Sequence, residues 1–542
     1  MRPFALRLIS WMLPLLVCIG CIGCTAPAGT GSAGNPSTVR VSILSADPPS
    51  LSLLGSSDLN SQRLAVQITD SLVQYDPNMK LVGRLATDWT VSEDGTSITF
   101  NLRRDVRWQD GQPFTSRDVL FTAEAVRRPS VANTIFAPQL ETLAAIEAPD
   151  DYTVVVRYEE GFPDMLEPWR MPQLPAHLAG LDEDLVTGKY AKHPVGCGPF
   201  RFEQHIPGQE IVLSANDDYW DGRPSIDRLV FKIYPEMQTA YQALLAGEID
   251  LMPMSPDLHR QARESDRADR WTFDVYHTFS TWLMTWNQTG SNPFFDDPRV
   301  RKAMVHALDR DTFIETVLGG HARSGVTTFH PDLVWADPDA RPLEYSPETA
   351  RRLLAEAGWL DHDGDGLLDR DGTPFRFTIL VAASTMKLVD HMAAWQQESW
   401  KALGIDARID RLEWQAFRER RNAGEFDLAS YTLRFSPNPD QSDLYHSTAR
   451  ESGINYFGLA DDELDRHLER ARELGLDDDQ RRAILHQVQR RLQALEPVTC
   501  LFYFATPLVY DRHLQGVKTT PLGLVETTAG PRHWRWSEVD GE

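Results

Sequence analysis

The densest group of residues able to do chemistry is the run Asp361-His362-Asp363-Gly364-Asp365-Gly366-Leu367-Leu368-Asp369-Arg370-Asp371-Gly372. Asp361, Asp363, Asp365 and Asp369 take positions 1, 3, 5 and 9 of this run, and Gly366 takes position 6. At that spacing alternate residues turn oxygens towards one hard cation, so the loop suits calcium held as a structural clip. Position 12 departs from the pattern, because Gly372 replaces the usual bidentate Glu. The segment after it, 375–381, reads as a strand where a second helix would stand. The competing reading is a polar surface turn between a helix and a strand, where Asp and Gly are favoured in any case.

Catalytic patterns do not accompany it. The sequence has no Gly-x-Ser-x-Gly elbow, no His-Glu-x-x-His and no Walker loop. Its 15 His are scattered, and His205 and His259 each stand alone. Close carboxylate pairs are expected by chance in so acidic a chain, and without geometry they are not a general acid and base. The expectation is a protein that is not an enzyme and requires no cofactor.

Three of the five cysteines crowd the start. Arg2 and Arg7 precede an apolar run, Leu8 to Val17, too short to span a bilayer. Residues 1–23 read as an export signal. The following Val17-Cys18-Ile19-Gly20-Cys21-Ile22-Gly23-Cys24 is similar to the bacterial lipobox, in which a small residue precedes a Cys that is diacylated. Cys24 and Cys21 both follow a glycine. Cys24 is preferred because residues 24–37 form a Gly/Ser/Ala/Pro linker suited to spacing a domain from a membrane. Cys197 and Cys500 remain. In an exported chain they permit a disulfide, and two buried free thiols are equally ordinary.

A length of 542 residues corresponds to three or four domains, and 42% hydrophobic residues suffice for large cores. Lys and Arg total 54 against 78 Asp and Glu, a formal charge of −24. That balance argues against nucleic acid as a partner, because such binding rests on cations neutralising phosphates. After the export signal no run of 18 apolar residues follows.

Period-two alternation marks strands at 38–44, 97–102, 152–158 and 229–234. Ser346-Pro347-Glu348 opens a helix that closes at Gly358, and 461–473 and 478–495 are amphipathic helices. Glu93-Asp94-Gly95 reads as a hairpin turn, with Gly111 and Gly222 as further turn residues. The fold class is α/β, a mixed α+β chain.

The ordered motifs resemble one family. Asp70-Ser-Leu-Val-Gln-Tyr-Asp leads to Leu85-Ala-Thr-Asp-Trp-Thr-Val-Ser-Glu-Asp-Gly, then to Val106-Arg-Trp-Gln-Asp-Gly. Pro194-Val-Gly-Cys-Gly-Pro-Phe and Asn216-Asp-Asp-Tyr-Trp-Asp-Gly follow, then Leu244-Leu-Ala-Gly-Glu-Ile-Asp and Asp297-Pro-Arg-Val-Arg-Lys-Ala-Met. In this order, over roughly residues 40–510, they resemble the bacterial extracellular solute-binding proteins of family 5, the peptide/nickel-type receptors of ABC importers. The resemblance implies a two-lobed periplasmic-binding-protein fold with a hinge and an extra subdomain inserted in the first lobe. Lobe I would comprise 38–55, 193–280 and 503–542, the insertion 56–192, and lobe II 281–502.

It also implies an extracytoplasmic, lipid-anchored monomer at the cell membrane, facing the periplasm or exterior. Such a protein would capture a peptide-like or other small polar solute between its lobes and hand it to ABC permease subunits. A chemosensory receptor is the rival within this class, and a secreted hydrolase the rival outside it. In peptide-binding relatives an Asp pairs with the ligand ammonium. Here Phe435 or Ser436 falls at that place, while Arg434 beside it offers a fork suited to an anionic group. Tyr431, Arg434, Phe435, Trp282, Trp286 and Trp414 are the candidate ligand contacts. Each Trp is equally readable as core, and Arg434 as a solvent-facing strand residue.

Overall fold

The computed structural model describes residues 37–44, 47–48, 50–51, 59–128, 140–178, 188–290, 292–383, 387–452 and 454–537. The signal segment 1–23, Cys18, Cys21, the candidate lipidation residue Cys24 and the linker up to residue 36 lie outside them. No helix among the described residues is long and apolar enough to cross a membrane.

β-branched and aromatic runs build one large sheet. Its strands are, in chain order, β1 (Thr38–Leu44), β2 (Phe200–Ile206), β3 (Glu210–Ala215), β4 (Arg228–Tyr234), β5 (Leu251–Pro253), β6 (Trp271–Trp286), β7 (Ala322–Ser324), β8 (Arg376–Ala382), β9 (Asp406–Leu412), β10 (Leu428–Arg434) and β11 (Val498–Asp511). They lie in the order β9-β8-β10-β6-β11-β5-β1-β4-β3-β2, with β7 added to β11. Two long strands join the halves. β5 pairs with Leu508–Tyr510 at one end of β11, and β10 pairs with Ser280–Trp286 at the opposite end of β6.

Between these zones the β6–β11 ladder breaks. The register His277↔Ala505 resumes as Thr281↔Tyr503, leaving Thr278, Phe279 and Ser280 unpaired with β11. A bulge of this kind bends a strand and interrupts its hydrogen bonds. Each side has its own core: Val39, Val41, Leu229 and Phe231 in lobe I, and two clusters flanking the sheet in lobe II.

The insertion is a four-stranded antiparallel sheet in the order Ala86–Val91, Ser97–Leu102, Thr153–Tyr158, Leu143–Asp150. Ile98, Phe100, Val154 and Val156 pack there with Val119 and Ala123 of the helix Ser116–Val126. Gly95 turns its first hairpin at φ +64°, where a side chain would be strained. Gly196 is required for space, since a Cβ there would lie 1.9 Å from the Ile68 carbonyl oxygen.

Lobe II is covered by helices α1 (Pro298–His306), α2 (Lys387–Lys401), α3 (Asp462–Ala471) and α4 (Asp478–Leu495). Side chains alternate across its strands. Trp282, Met284 and Trp286 of β6 enter one cluster, together with Phe377, Ile379 and Val381 of β8 and Met304 and Trp400 of α1 and α2. Leu283, Leu380, Ala429 and Tyr431 enter the other, against Leu464, Leu468 and Val488 of α3 and α4. The helix starts follow the sequence signals. Ser346 accepts from the Thr349 amide at 3.2 Å, Asp461 from Leu464 at 2.9 Å, and Asp477 and Gln480 form a capping box.

Candidate ligand cleft

The candidate site lies where the β6–β11 ladder breaks. Phe279, in the bulge, donates its amide to the Pro521 carbonyl at 3.2 Å and accepts from the Phe435 amide at 3.0 Å. One residue thus ties the C-terminal loop that follows β11 to the end of β10 in lobe II. Around it Tyr75, Phe279, Leu333 and Leu522 are buried together, with Met79, Leu81, Trp335 and Phe435 packed at the edge. Tyr75, Met79 and Leu81 come from the inserted segment and Leu333, Trp335 and Phe435 from lobe II, so this apolar floor spans the two lobes.

Charged groups border the floor. Arg170 donates to Glu167 at 3.0 Å and lies over the Tyr75 ring at 4.3 Å. The Tyr75 hydroxyl donates to the same Glu167, and burial together with that carboxylate raises the phenol's pKa. Arg63 holds Glu526 at 3.3 Å. Arg434 donates to the Leu522 carbonyl and stands 3.9 Å from Glu526, which Arg63 already engages. Burial lowers the pKa of Arg434, against the pull of Glu526. The group therefore sets three guanidinium ions against two carboxylates, and Arg434 is the one with the weakest counter-charge.

The structure separates the candidate contacts. Arg434 and Phe435 stand at this floor and its edge. Trp282 and Trp286 do not: they are 1% and 0% exposed in the lobe II core. Their indole N–H groups are satisfied by Ser430 Oγ at 2.8 Å and Thr499 Oγ1 at 3.0 Å. The even-numbered face of β6 turns them beneath α1 and α2. Tyr431 is likewise core, on the opposite face, its hydroxyl bonded to Tyr456 and accepting from Thr285 at 3.2 Å. Trp414 lies outside the floor, half exposed and stacked on Phe417 with centroids 5.8 Å apart. Ser436 is exposed.

Of the two readings open for Cys197 and Cys500, the structure shows the free thiols. Cys197 and Cys500 are both free and buried, one in the insertion core and the other in a lobe II core. In the acidic loop, carboxylate oxygens of Asp361, Asp363 and Asp365 lie within 4.8 Å of one another. Asp369 does not join them, because a bridge to Leu360 turns it back to accept from the His362 amide at 3.0 Å and to pair with the His362 ring at 3.1 Å.

Arg63, Tyr75, Arg170, Phe279, Leu522 and Glu526 escaped the sequence reading. They are spread over more than 460 positions, and Tyr75 sits inside a motif that reads as scaffold.

Comparison with known proteins follows the same outline. The family model described as bacterial extracellular solute-binding proteins, family 5, matches residues 80–455. The oligopeptide-binding protein AppA of Bacillus subtilis is 28% identical over 96% of this chain and 97% of its own length. A putative ABC transporter peptide-binding protein of Brucella ovis is 31% identical over 69% of this chain and 70% of its own. The structure of Bacillus subtilis AppA in complex with a nonapeptide superposes with a TM-score of 0.75 and 26% identity, over 92% of this chain and 99% of that one. With its two lobes, its inserted sheet and a substrate-binding role in place of catalysis, the chain belongs to the bacterial extracellular solute-binding proteins of family 5.

Proposed function

We propose that this protein captures a peptide-like or other small polar solute on the floor around Phe279 and delivers it to an ABC permease. A diacylated Cys24 would hold it to the cell membrane as a monomer. The observation that carries the ligand chemistry is Arg434, set beside an apolar floor and bonded to a carbonyl, with its nearest carboxylate at 3.9 Å. A ligand with an apolar body and an anionic or neutral polar end completes this arrangement. A free ammonium meets three guanidinium ions there, and leaving a charge unpaired in a closed cleft costs several kcal/mol.

A thermal-shift screen of oligopeptides, oligosaccharides and metal chelates tests the reading. A ligand of the folded form at a hundred times its Kd adds about 2.7 kcal/mol and is recovered unchanged. Steady turnover by pure protein would end the claim of simple binding. Calorimetry with a peptide and its N-acetylated twin then probes the end group. Acetylation should leave affinity unchanged or improve it, and Arg434→Gln should weaken binding by roughly 10–100-fold, the worth of a hydrogen bond to a charged group. A large loss on acetylation would place an ammonium anchor here instead.

A structural calcium in the loop of Asp361, Asp363 and Asp365 is also part of this proposal. Millimolar calcium should raise the melting temperature and chelator lower it, and Asp363→Ala should abolish that response without changing ligand affinity. Superimposable melting curves would leave the loop an ordinary turn.

A further inference from the structure

The inserted subdomain touches lobe II a second time, through residues that take no part in the Phe279 floor. Leu474, in the connection between α3 and α4, keeps 45% of its surface exposed, yet its methyl groups lie over two glycines of the insertion. A Cβ at Gly95 would stand 2.6 Å from Leu474 Cδ1, and a Cβ at Gly161 would stand 2.8 Å from the same atom. A side chain at Gly95 would displace Leu474, while one at Gly161 would meet the Gly95 carbonyl oxygen at 2.3 Å as well as Leu474. Just beyond, Pro163 and Asp164 of the insertion face Pro439, Asp440, Arg472 and Arg481 of lobe II across a narrow crevice. Arg472 is bonded to Asp440 at 3.3 Å. The same insertion loop continues into Glu167 and Arg170 at the border of the floor, so it cannot leave lobe II without moving one wall of the cleft.

We infer that Leu474 on its glycine seat and Asp164 in its crevice form a clasp that sets the open–closed equilibrium of the two lobes. The inference rests on the reading that the cleft binds solute on closing. A receptor that must close to bind shows an affinity reduced by the fraction not yet closed, so a contact remote from the ligand can tune it.

The clasp carries a charge asymmetry. Burial pushes the Asp164 carboxyl up to about 7, and Asp440 and Glu167 push in the same direction, against Arg481 and Arg472. Asp443, beside Asp440, is also raised, by burial and by Asp440. With the lobes apart, Asp164 is solvated and ionises in the ordinary carboxylate range. The closed form therefore holds a proton that the open form has lost between that range and about 7. Closure is fully favoured below the ordinary range and loses that contribution as pH rises through about 7.

Interlobe distance tests this without a ligand. The mature chain with Cys24→Ser would carry spin labels at Thr90→Cys in the insertion and Glu398→Cys in lobe II, both exposed positions, and Cys197 and Cys500 are too buried to compete. The short-distance population should grow severalfold relative to the long one between pH 8 and pH 5.5. Leu474→Ser should lower the closed-to-open ratio about tenfold at both values while keeping the pH trend. Asp164→Asn should keep the ratio high at both values and remove the trend. Because Leu474 is exposed, its variant should melt with the parent, so a changed ratio reports the clasp and not the fold. A ratio unchanged by Leu474→Ser, or a pH trend that survives Asp164→Asn, overturns the inference. Either result leaves the ligand reading standing, since no solute enters the measurement.

Discussion

Replacing Arg301 with methionine should cost about 3–5 kcal/mol of stability, because it strips the donor from four buried backbone carbonyls, each worth about 1–3 kcal/mol when left bare. Arg301 is 2% exposed and projects from α1 against the end of α4. Its guanidinium donates to the carbonyls of Leu495 at 3.1 Å, Glu496 at 3.0 Å, Phe295 at 2.5 Å and Asp296 at 3.0 Å. Helix ends leave carbonyls without intrahelical partners, and a cation there also meets the negative end of the helix dipole. Glu496 closes α4 in the left-handed region at φ +50°, which a non-glycine residue adopts at some cost. Burial draws the Arg301 pKa down to about 10, so the group stays charged at neutral pH. Methionine fills the volume but donates nothing, and each buried acceptor left bare costs about 1–3 kcal/mol. Urea unfolding followed by the fluorescence of the lobe II tryptophans would read the loss. A variant within about 1 kcal/mol of the parent would show that water reaches these carbonyls after all.

A comparable loss, again about 3–5 kcal/mol, is expected for Asp70→Ala. The Asp70 carboxylate accepts from Arg84 at 3.1 Å, from the Tyr219 hydroxyl at 2.9 Å, from the Trp220 indole at 3.2 Å and from the Ser71 amide at 2.9 Å. Asp70 and Arg84 are each 9% exposed in their side chains. Arg84 also reaches Asp221 at 2.9 Å, and the guanidinium groups of Arg84 and Arg103 lie over the Trp220 ring at 4.6 and 4.1 Å. One carboxylate therefore pins the motif Asn216-Asp-Asp-Tyr-Trp of lobe I to the start of the insertion. Alanine would leave Arg84 with the Asp221 carboxylate and the Tyr219 hydroxyl, and would strand two aromatic donors. The predicted readout is an early loss of the insertion, seen as hydrogen exchange of strands 86–91 and 97–102 well before the lobe II strands. Exchange at parental rates would sink the assignment. Asp70→Asn should fall between the two, since it keeps an acceptor but not the charge.

Both arrangements explain motifs that the sequence offered only as recurring strings. Asp70 opens one such string and Tyr219 and Trp220 stand inside another, 149 and 150 positions on. Nothing in their local patterns says that they meet. Arg301 likewise reads as a charged residue on a polar helix start, and only the arrival of α4 makes it buried.

Everything that depends on near neighbours was legible in the amino-acid sequence. Ser346, Asp461 and Asp477 mark helix starts because a short polar side chain reaches an amide two or three residues ahead. Gly95 marks a hairpin because its φ of +64° is forbidden to most residues. Period-two alternation marks β1 and β4 because successive side chains of a strand leave opposite faces. Alternation could not say which face of β6 would be core and which cleft, since in lobe II both are buried. Trp282 and Trp286 therefore went under helices, and the proposed floor centres instead on Phe279, a residue that the register break frees from the ladder. Its partners, Tyr75 and Leu522, stand 204 positions before it and 243 after it in the chain. Contacts of that range are set by how sheets and lobes pack, and packing energy depends on which surfaces meet, which no local window of sequence contains.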